Sequence, residues 1–315
     1  MVVALQANLA VFLGGASRAA RARTRLAHNC CMASSLRPAT PWRPSLFLRA
    51  SAALHALALV GVWAWPAQWP WWLGLVVANH LVLSTAGLWP RSRLLGPNLT
   101  RLPPRAAARG EVALTFDDGP DPEVTPKVLA LLESAGARAT FFCVGEQLRR
   151  HPDLGREIVR RGHRIENHTD THPNSFAAMG WRRMAAQVAA GQEAITAVTG
   201  RAPRFFRAVA GLRNPWLAPI LARQGLQLAA WTRRGYDTRT GNADAVHARL
   251  TRGLAAGDVL LLHDGHAART AEGVPVVLAV LPRLLGDLQA RGLRSVALDE
   301  AVPETTEVQW QGVTA

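Results

Sequence analysis

Leu114-Thr115-Phe116-Asp117-Asp118-Gly119-Pro120 is the stretch from which the fold can be read. A short apolar run, Val112 to Phe116, is followed by two carboxylates, and Gly-Pro then interrupts the chain. The pattern predicts a buried strand ending in a turn that presents both aspartates. Adjacent side chains leave a strand on opposite faces, so the two can divide the work, one binding a metal and the other taking a proton. Turn chemistry alone explains the same residue types equally well, as an Asp-Gly turn with solvated carboxylates. The surrounding sequence shifts the balance.

Downstream, apolar strand candidates lie at 112–116, 139–144, 163–167, 204–208, 226–231, 258–262 and 294–298, with helical patterns at 123–135, 146–161, 181–199, 215–224, 242–255 and 274–291. Gly136, Gly162, Gly200, Gly225 and Gly257 stand where helices should stop. Regular strand–helix alternation predicts parallel strands in an α/β architecture. About 190 residues is short for the ~250 of a full eight-fold barrel. Seven strands therefore suggest a distorted, incomplete (β/α) barrel, with an open doubly wound sheet as the alternative.

Charge separates this region from what precedes it. Before Glu111 there are twelve arginines and no Lys, Asp or Glu; from Gly110 onward 24 basic residues face 22 acidic ones, so +12 of the net +14 lies in the N-terminal part. A nucleic-acid module would carry its arginines on the folded domain, so no nucleic-acid partner is expected. The distribution suits a membrane orientation signal instead. The three cysteines (Cys30, Cys31 and Cys143) form neither a disulfide framework nor a metal spacing.

Residues 1–45 read as a basic, disordered leader, or as an over-extended start with Met32 as the initiator. Between Ala50 and Pro90 there is no formally charged residue. Two apolar stretches, Leu46–Trp65 and Trp69–Trp89, are separated by Pro66-Ala67-Gln68, and each is close to the ~20 residues that span a bilayer core. Seven of the eleven tryptophans fall between Trp42 and Trp89, with Trp63, Trp65, Trp69, Trp71 and Trp72 at the break, where an interfacial belt would lie. Residues 46–90 are thus expected to be a transmembrane hairpin. A buried soluble hairpin is the competing account, and His55, Asn79 and His80 favour it. Basic flanks (Arg43, Arg49, Arg91, Arg93, Arg101 and Arg105) would put both ends of a two-span hairpin in the cytoplasm; a single span would put the C-terminal domain outside. Residues 91–109, with Pro97, Pro103 and Pro104, read as a linker, and 303–315 as a polar tail.

Polar clusters fall at strand ends: Asp117 and Asp118, then His168 to Pro173, Arg207, Trp231 and Asp237, and His263-Asp264. In a barrel the C-terminal strand ends converge on one face, where catalysis sits. His168 and His172 have a spacing that can bring two imidazoles to one metal; with one carboxylate they leave a position for water. His151, His163, His247 and His266 complete no ligand set and read as structural or surface residues. Trp231 and Trp216 could stack on a sugar or pack in the core.

These residues carry a resemblance. Thr115–Pro120 (TFDDGP), Gly162–Pro173 (GHRIENHTDTHP), Ala139–Phe142 (ATFF) and Leu260–Asp264 (LLLHD) together resemble the motifs of the polysaccharide deacetylases of the NodB-homology, carbohydrate esterase family 4 type, over about Glu111 to Leu298. The resemblance implies a deacetylase domain over 110–302 and a divalent metal, usually zinc, held by Asp118, His168 and His172. It makes Asp117 the general base and His263 the acid that protonates the departing amine, with Arg207 orienting Asp117 and Asp237 tuning His263. The oxyanion would be met by the metal and a backbone N–H, here Ala210. Where the family usually has Arg-x-Pro-Tyr-Gly, this chain has Arg207-Ala208-Val209-Ala210-Gly211. Its fourth motif keeps Trp231 and Asp237, but Arg233 and Arg234 crowd the earlier part and Thr238 replaces a usual Trp. The expected substrate is an N-acylated amino sugar of a cell-envelope glycan, with the enzyme anchored in a bacterial inner or plasma membrane. Two other functions stay open: a deacylase or deformylase of a lipid-linked amino sugar, and a non-catalytic carbohydrate-binding module.

Overall fold

The computed structural model describes residues 41–303; the leader to residue 40, with Cys30, Cys31 and Met32, and the tail from 304 lie outside it. Helix α1 (Leu46–Ala64), a 3-10 turn (Pro66–Gln68) and α2 (Trp69–Leu88) form the apolar hairpin. The Ser45 side chain caps α1 by accepting from the Leu48 N–H at 3.2 Å, and its hydroxyl donates to the Leu94 carbonyl at 2.5 Å, so the two ends of the hairpin lie together. A soluble core helix would bury its apolar residues. Here only 17% and 11% of the apolar windows are buried, and both helices are long and apolar enough to cross a membrane. The polar residues that counted against a span are satisfied within the hairpin: Asn79 donates to the Ser51 hydroxyl at 2.7 Å, and His55 and His80 each bond a carbonyl four residues back.

Residues 91–109, expected as a linker, run along the barrel. The Leu99 N–H donates to the Leu228 carbonyl, the Ala230 N–H to the Leu99 carbonyl and the Leu102 N–H to the Gly257 carbonyl, at 2.8–2.9 Å. Helix α3 (Pro104–Ala108) then buries Ala106.

The α/β part follows in order: β1 (Glu111–Asp117), α4 (Thr125–Ser134), β2 (Ala139–Cys143), α5 (Gly145–Arg150), α6 (Pro152–Arg160), β3 (Arg164–Asn167), α7 (Trp181–Thr199), β4 (Phe205–Phe206), α8 (Leu217–Arg223), β5 (Gln227–Leu228), β6 (Arg233–Arg234), α9 (Ala243–Thr251), β7 (Val259–His263), α10 (Val276–Ala290), β8 (Arg294–Ser295) and α11 (Leu298–Ala301). Pro152 divides the helix expected over 146–161, since it disfavours helical geometry in the residue before it. The eight strands form one curled sheet in the order β5-β4-β3-β2-β1-β7-β6, with β8 on the start of β1, and every pairing is parallel. β5 and β6 do not pair with each other. The seam near them is bridged by the segment from Leu99 to Arg101, which pairs with Ala229 on one side and Asp258 on the other. The architecture is the distorted, incomplete barrel anticipated from the alternation, with one strand more than expected, β6.

β1 is central because its residues alternate between two cores. Val112, Leu114 and Phe116 join the cluster beneath α4 and α10, where Phe116 stacks on Phe141 at 5.1 Å. Ala113 joins the inner cluster with Phe142, Phe205 and Leu261. Each fully buried Leu or Phe contributes about 1.5–3 kcal/mol, so the strand's register is firmly fixed. Thr115 and Asp117 share the inner face with Ala113, which carries Asp117 to the barrel's C-terminal rim.

Candidate active site

The strand ends converge as a parallel barrel requires. Asp117 ends β1 and is the register partner of His263, which ends β7. Asp117 Oδ1 accepts from Arg207 Nη1 at 2.6 Å, and both side chains are buried. The same Arg207 nitrogen donates to Thr115 Oγ1, Nε donates to the Ala229 carbonyl and Nη2 to the Ala230 carbonyl, while the guanidinium plane covers the Phe142 ring at 3.9 Å. Every direction of the guanidinium is thereby fixed.

Asp118 departs from the alternation expected of a strand. Its φ of 73° lies in the left-handed region, so its carboxylate turns back toward the same side as Asp117. Oδ1 lies 3.2 Å from His168 Nε2 and 3.1 Å from His172 Nε2; Asp117 Oδ2 is 3.9 Å from the same His168 nitrogen. Gly265 permits this packing, because a Cβ there would stand 2.5 Å from the Asp118 carbonyl oxygen. Burial works against the Asp118 charge, but the surrounding imidazoles of His168, His172 and His266 hold its carboxyl well below the usual range.

The donors fit a metal ion. The atoms of Asp118, His168 and His172 lie within 4.8 Å of one another, and the buried Asp118 Oδ1 has no hydrogen-bond partner among the described residues. His168 Nδ1 sits 2.8 Å from the Arg207 carbonyl, which can only accept; Nδ1 therefore carries the proton and Nε2 turns its lone pair to the cluster. Two imidazoles and one carboxylate make a donor set that zinc takes, with a position left open.

Opposite stands His263, whose Nδ1 and backbone N–H both bond Asp237, at 2.8 and 2.7 Å. Burial alone would lower the imidazole pKa. The charge and hydrogen bond of Asp237, with Asp117 and Asp118 behind it, outweigh burial and lift it to about 9. The neighbouring Asp264 is buried, which pushes its carboxyl up to about 7, and it accepts from Thr125 Oγ1 at 2.5 Å.

Asp117, Asp118, His168, His172 and His263 face one cavity of about 600 Å³, also lined by Ala210, Trp231, Arg234, Arg239 and His266. Ala210 has φ 53° and is exposed to the cavity. Trp231 is 6% exposed and belongs to the inner core while presenting an edge to the site. Trp216 is elsewhere: it meets Trp181 edge-to-face at 6.1 Å beside a separate apolar cavity against α1. His163 accepts from the Ala139 N–H at 3.2 Å and is pushed down to about 4 by burial, a structural role as expected. His266 is exposed, as expected of a surface residue, yet it also reaches the site. Its Nδ1 lies 3.4 Å from Asp118 Oδ2, since a φ of 56° turns it back over the site. The spacing His263-x-x-His266 was the available signal. Arg234 and Arg239 were also missed as site residues.

A family model described as Polysaccharide deacetylase matches residues 105–229. The chain is 32% identical over 190 residues to a peptidoglycan-N-acetylglucosamine deacetylase of Bacillus cereus, covering 60% of this chain and 67% of that one. It is 34% identical over 200 residues to a chitooligosaccharide deacetylase of Sinorhizobium fredii, covering 62% and 93%. A crystal structure of a peptidoglycan N-acetylglucosamine deacetylase in complex with 4-naphthalen-1-yl-N-oxidanyl-benzamide matches with TM-score 0.59 and 28% identity, over 67% of this chain and 94% of that one.

Proposed function

The chain belongs to the polysaccharide deacetylase family, and from that premise we propose that it hydrolyses the N-acyl amide, in the first place N-acetyl, of an amino sugar in a cell-envelope glycan. It is on this reading a hydrolase of non-peptide carbon–nitrogen bonds. The observation that carries the proposal is the register pair Asp117 and His263, set beside the donors Asp118, His168 and His172.

Asp118, His168 and His172 would hold a divalent cation, zinc by donor type. Such a cation supplies Lewis-acid polarisation and acidifies water, so that amide hydrolysis runs near neutral pH. Asp117 takes the proton of the attacking water at the oxygen not engaged by Arg207. Arg207 keeps that carboxylate aimed. His263 stays protonated in the neutral range and gives its Nε2 proton to the departing nitrogen, which leaves poorly as an anion. Asp237 fixes the ring and its tautomer. The Ala210 N–H, at the cavity wall, is the proposed backbone donor to the tetrahedral oxyanion.

The apolar helices α1 and α2 support a membrane anchor. Their adjoining ends fit a two-span hairpin with both flanks on one side of the membrane. A second reading, deacylation or deformylation of a lipid-linked amino sugar, is favoured by one junction. Gly211 of the cavity wall sits where a Cβ would be 2.6 Å from both Pro90, just beyond α2, and Trp231. The Arg213 N–H also donates to the carbonyl of Gly87, in the last turn of α2, at 3.1 Å. The hairpin thus abuts the site.

The test is metal content of the full chain in detergent micelles, with acetate and formate release from amino-sugar oligomers and from lipid-linked amino sugars. One equivalent of metal with acyl release supports the proposal. Metal at background and no release from either substrate would leave a binding module as the better account.

A further inference from the structure

Two successive arginines in β6 have opposite fates, as neighbours on a strand should. Arg233 turns away from the cavity and is consumed by structure: its guanidinium engages Asp258 and the carbonyls of Arg252 and Gly253. Arg234 turns into the cavity. Its guanidinium is held between two rings, 5.3 Å from the Trp231 centroid and 5.0 Å from that of Tyr236. Among the described residues it has no carboxylate partner, and its buried Nε has no hydrogen bond. Arg239 lines the same cavity, exposed and also without a carboxylate partner among the described residues.

The acidic groups of the cavity do not compensate these cations. Asp117 is committed to Arg207, Asp118 to the imidazole cluster, and Glu146 to Arg150 at 2.6 Å. A stacked, pre-oriented guanidinium with a second one nearby is a fork for a multi-oxygen anion. A neutral glycan would leave both charges without a partner. The departures from the family pattern, Arg234 in the fourth motif and Thr238 for a usual Trp, fall on this same wall.

Resting on the deacylase reading, we propose that the substrate is an amino sugar that carries a phosphate ester, with Arg234 and Arg239 binding that phosphate while the acyl group lies at Asp117 and His263. The closeness of Pro90 to the cavity wall makes a lipid-borne phosphosugar a sterically natural source; a soluble sugar phosphate has the same headgroup chemistry.

The experiment uses the full chain in detergent micelles, zinc-loaded, with four N-acetylated probes: N-acetylglucosamine 1-phosphate, a polyprenyl-phosphate-linked N-acetylglucosamine, neutral triacetylchitotriose and the carboxylated N-acetylmuramic acid. A kcat/KM at least tenfold higher on either phosphorylated probe than on the others is expected. Preference for both phosphorylated probes identifies phosphate as the shared determinant; preference for the lipid-linked one alone also supports the proposal and assigns the source. In Arg234→Gln and Arg239→Gln the phosphorylated-to-neutral ratio should fall at least tenfold, mainly through KM, and Arg234→Lys should restore part of it. Metal content reports whether each variant is folded. Equal or better turnover of the neutral or carboxylated probe by the wild type, or an equal loss on all probes in the variants, overturns the inference while leaving the deacylase reading intact. No acyl release from any probe overturns the deacylase reading itself.

Discussion

Arg207 and Asp117 form a buried ion pair at 2.6 Å in which the arginine, 0% exposed, is bonded at Nε, Nη1 and Nη2. Lysine offers one compact charge and no fork. Arg207→Lys should leave the Ala229 or Ala230 carbonyl unpaired and lower stability by about 1–3 kcal/mol. It should also cut turnover at least tenfold by freeing Asp117. Thermal unfolding and kcat, measured on the same sample, check both.

Asp117 and Asp118 are neighbours in sequence to which the proposal gives separable tasks. Asp117→Asn should reduce kcat by roughly 10²–10⁴ while zinc content stays near that of the wild type. Asp118→Asn should lose zinc, since it removes the anionic donor shared by His168 and His172. Chelation of the wild type should abolish activity and lower Tm, because a ligand held at 100 times its Kd stabilises by about 2.7 kcal/mol. Elemental analysis beside kinetics distinguishes the two variants; equal zinc loss in both would contradict the division.

The acid carries the pH dependence. His263 is lifted to about 9 because Asp237 and the two rim aspartates outweigh burial. On the proposed role the protonated form is the acid, so kcat/KM should hold through neutrality and fall as pH rises through about 9. In Asp237→Asn the largest remaining influence is burial, which lowers the pKa. The alkaline limb should therefore move to lower pH, a shift visible in the pH–rate profile and in the His263 ring titration.

Glu166 supplies a stability test away from the chemistry. Burial raises its carboxyl from 4.5 to about 7, against hydrogen bonds from the Phe205 and Arg204 N–H groups at 2.6 Å. A raised folded-state pKa means that stability is greatest below 4.5 and declines as pH rises through about 7, by roughly 3 kcal/mol in all. Glu166→Gln keeps an acceptor for both N–H groups and cannot ionise. Its Tm relative to the wild type should rise between pH 5 and 8; parallel Tm curves would refute this.

The sequence is most informative where side-chain pattern and backbone role coincide. β1 and β7 are apolar runs ended by polar residues, and their C-terminal rim is where Asp117 and His263 lie. β6 has no apolar signal, since it consists of two arginines held by pairing with Leu260 and Leu261. The segment from Leu99 to Leu102 is fixed by main-chain hydrogen bonds, which leave little mark on residue type. Asp118 and His266 come to one point through left-handed backbone angles of 73° and 56°, which a spacing rule cannot see. Arg234 is read correctly only once the strand alternation is known, because the same two letters otherwise look like a solvated pair.

The bridging of the barrel seam by residues 99–101 also bears on geometry at the scale of the envelope. A free chain from 91 to 109 would reach roughly 60 Å at ~3.3 Å per residue, far enough to sweep a layer of wall above a bilayer. Stitched into the barrel, that length is spent on the protein itself. With the hairpin in the bilayer, the catalytic rim would travel laterally with its anchor at a fixed height, and its encounters would be those of two-dimensional diffusion, with molecules that share the plane.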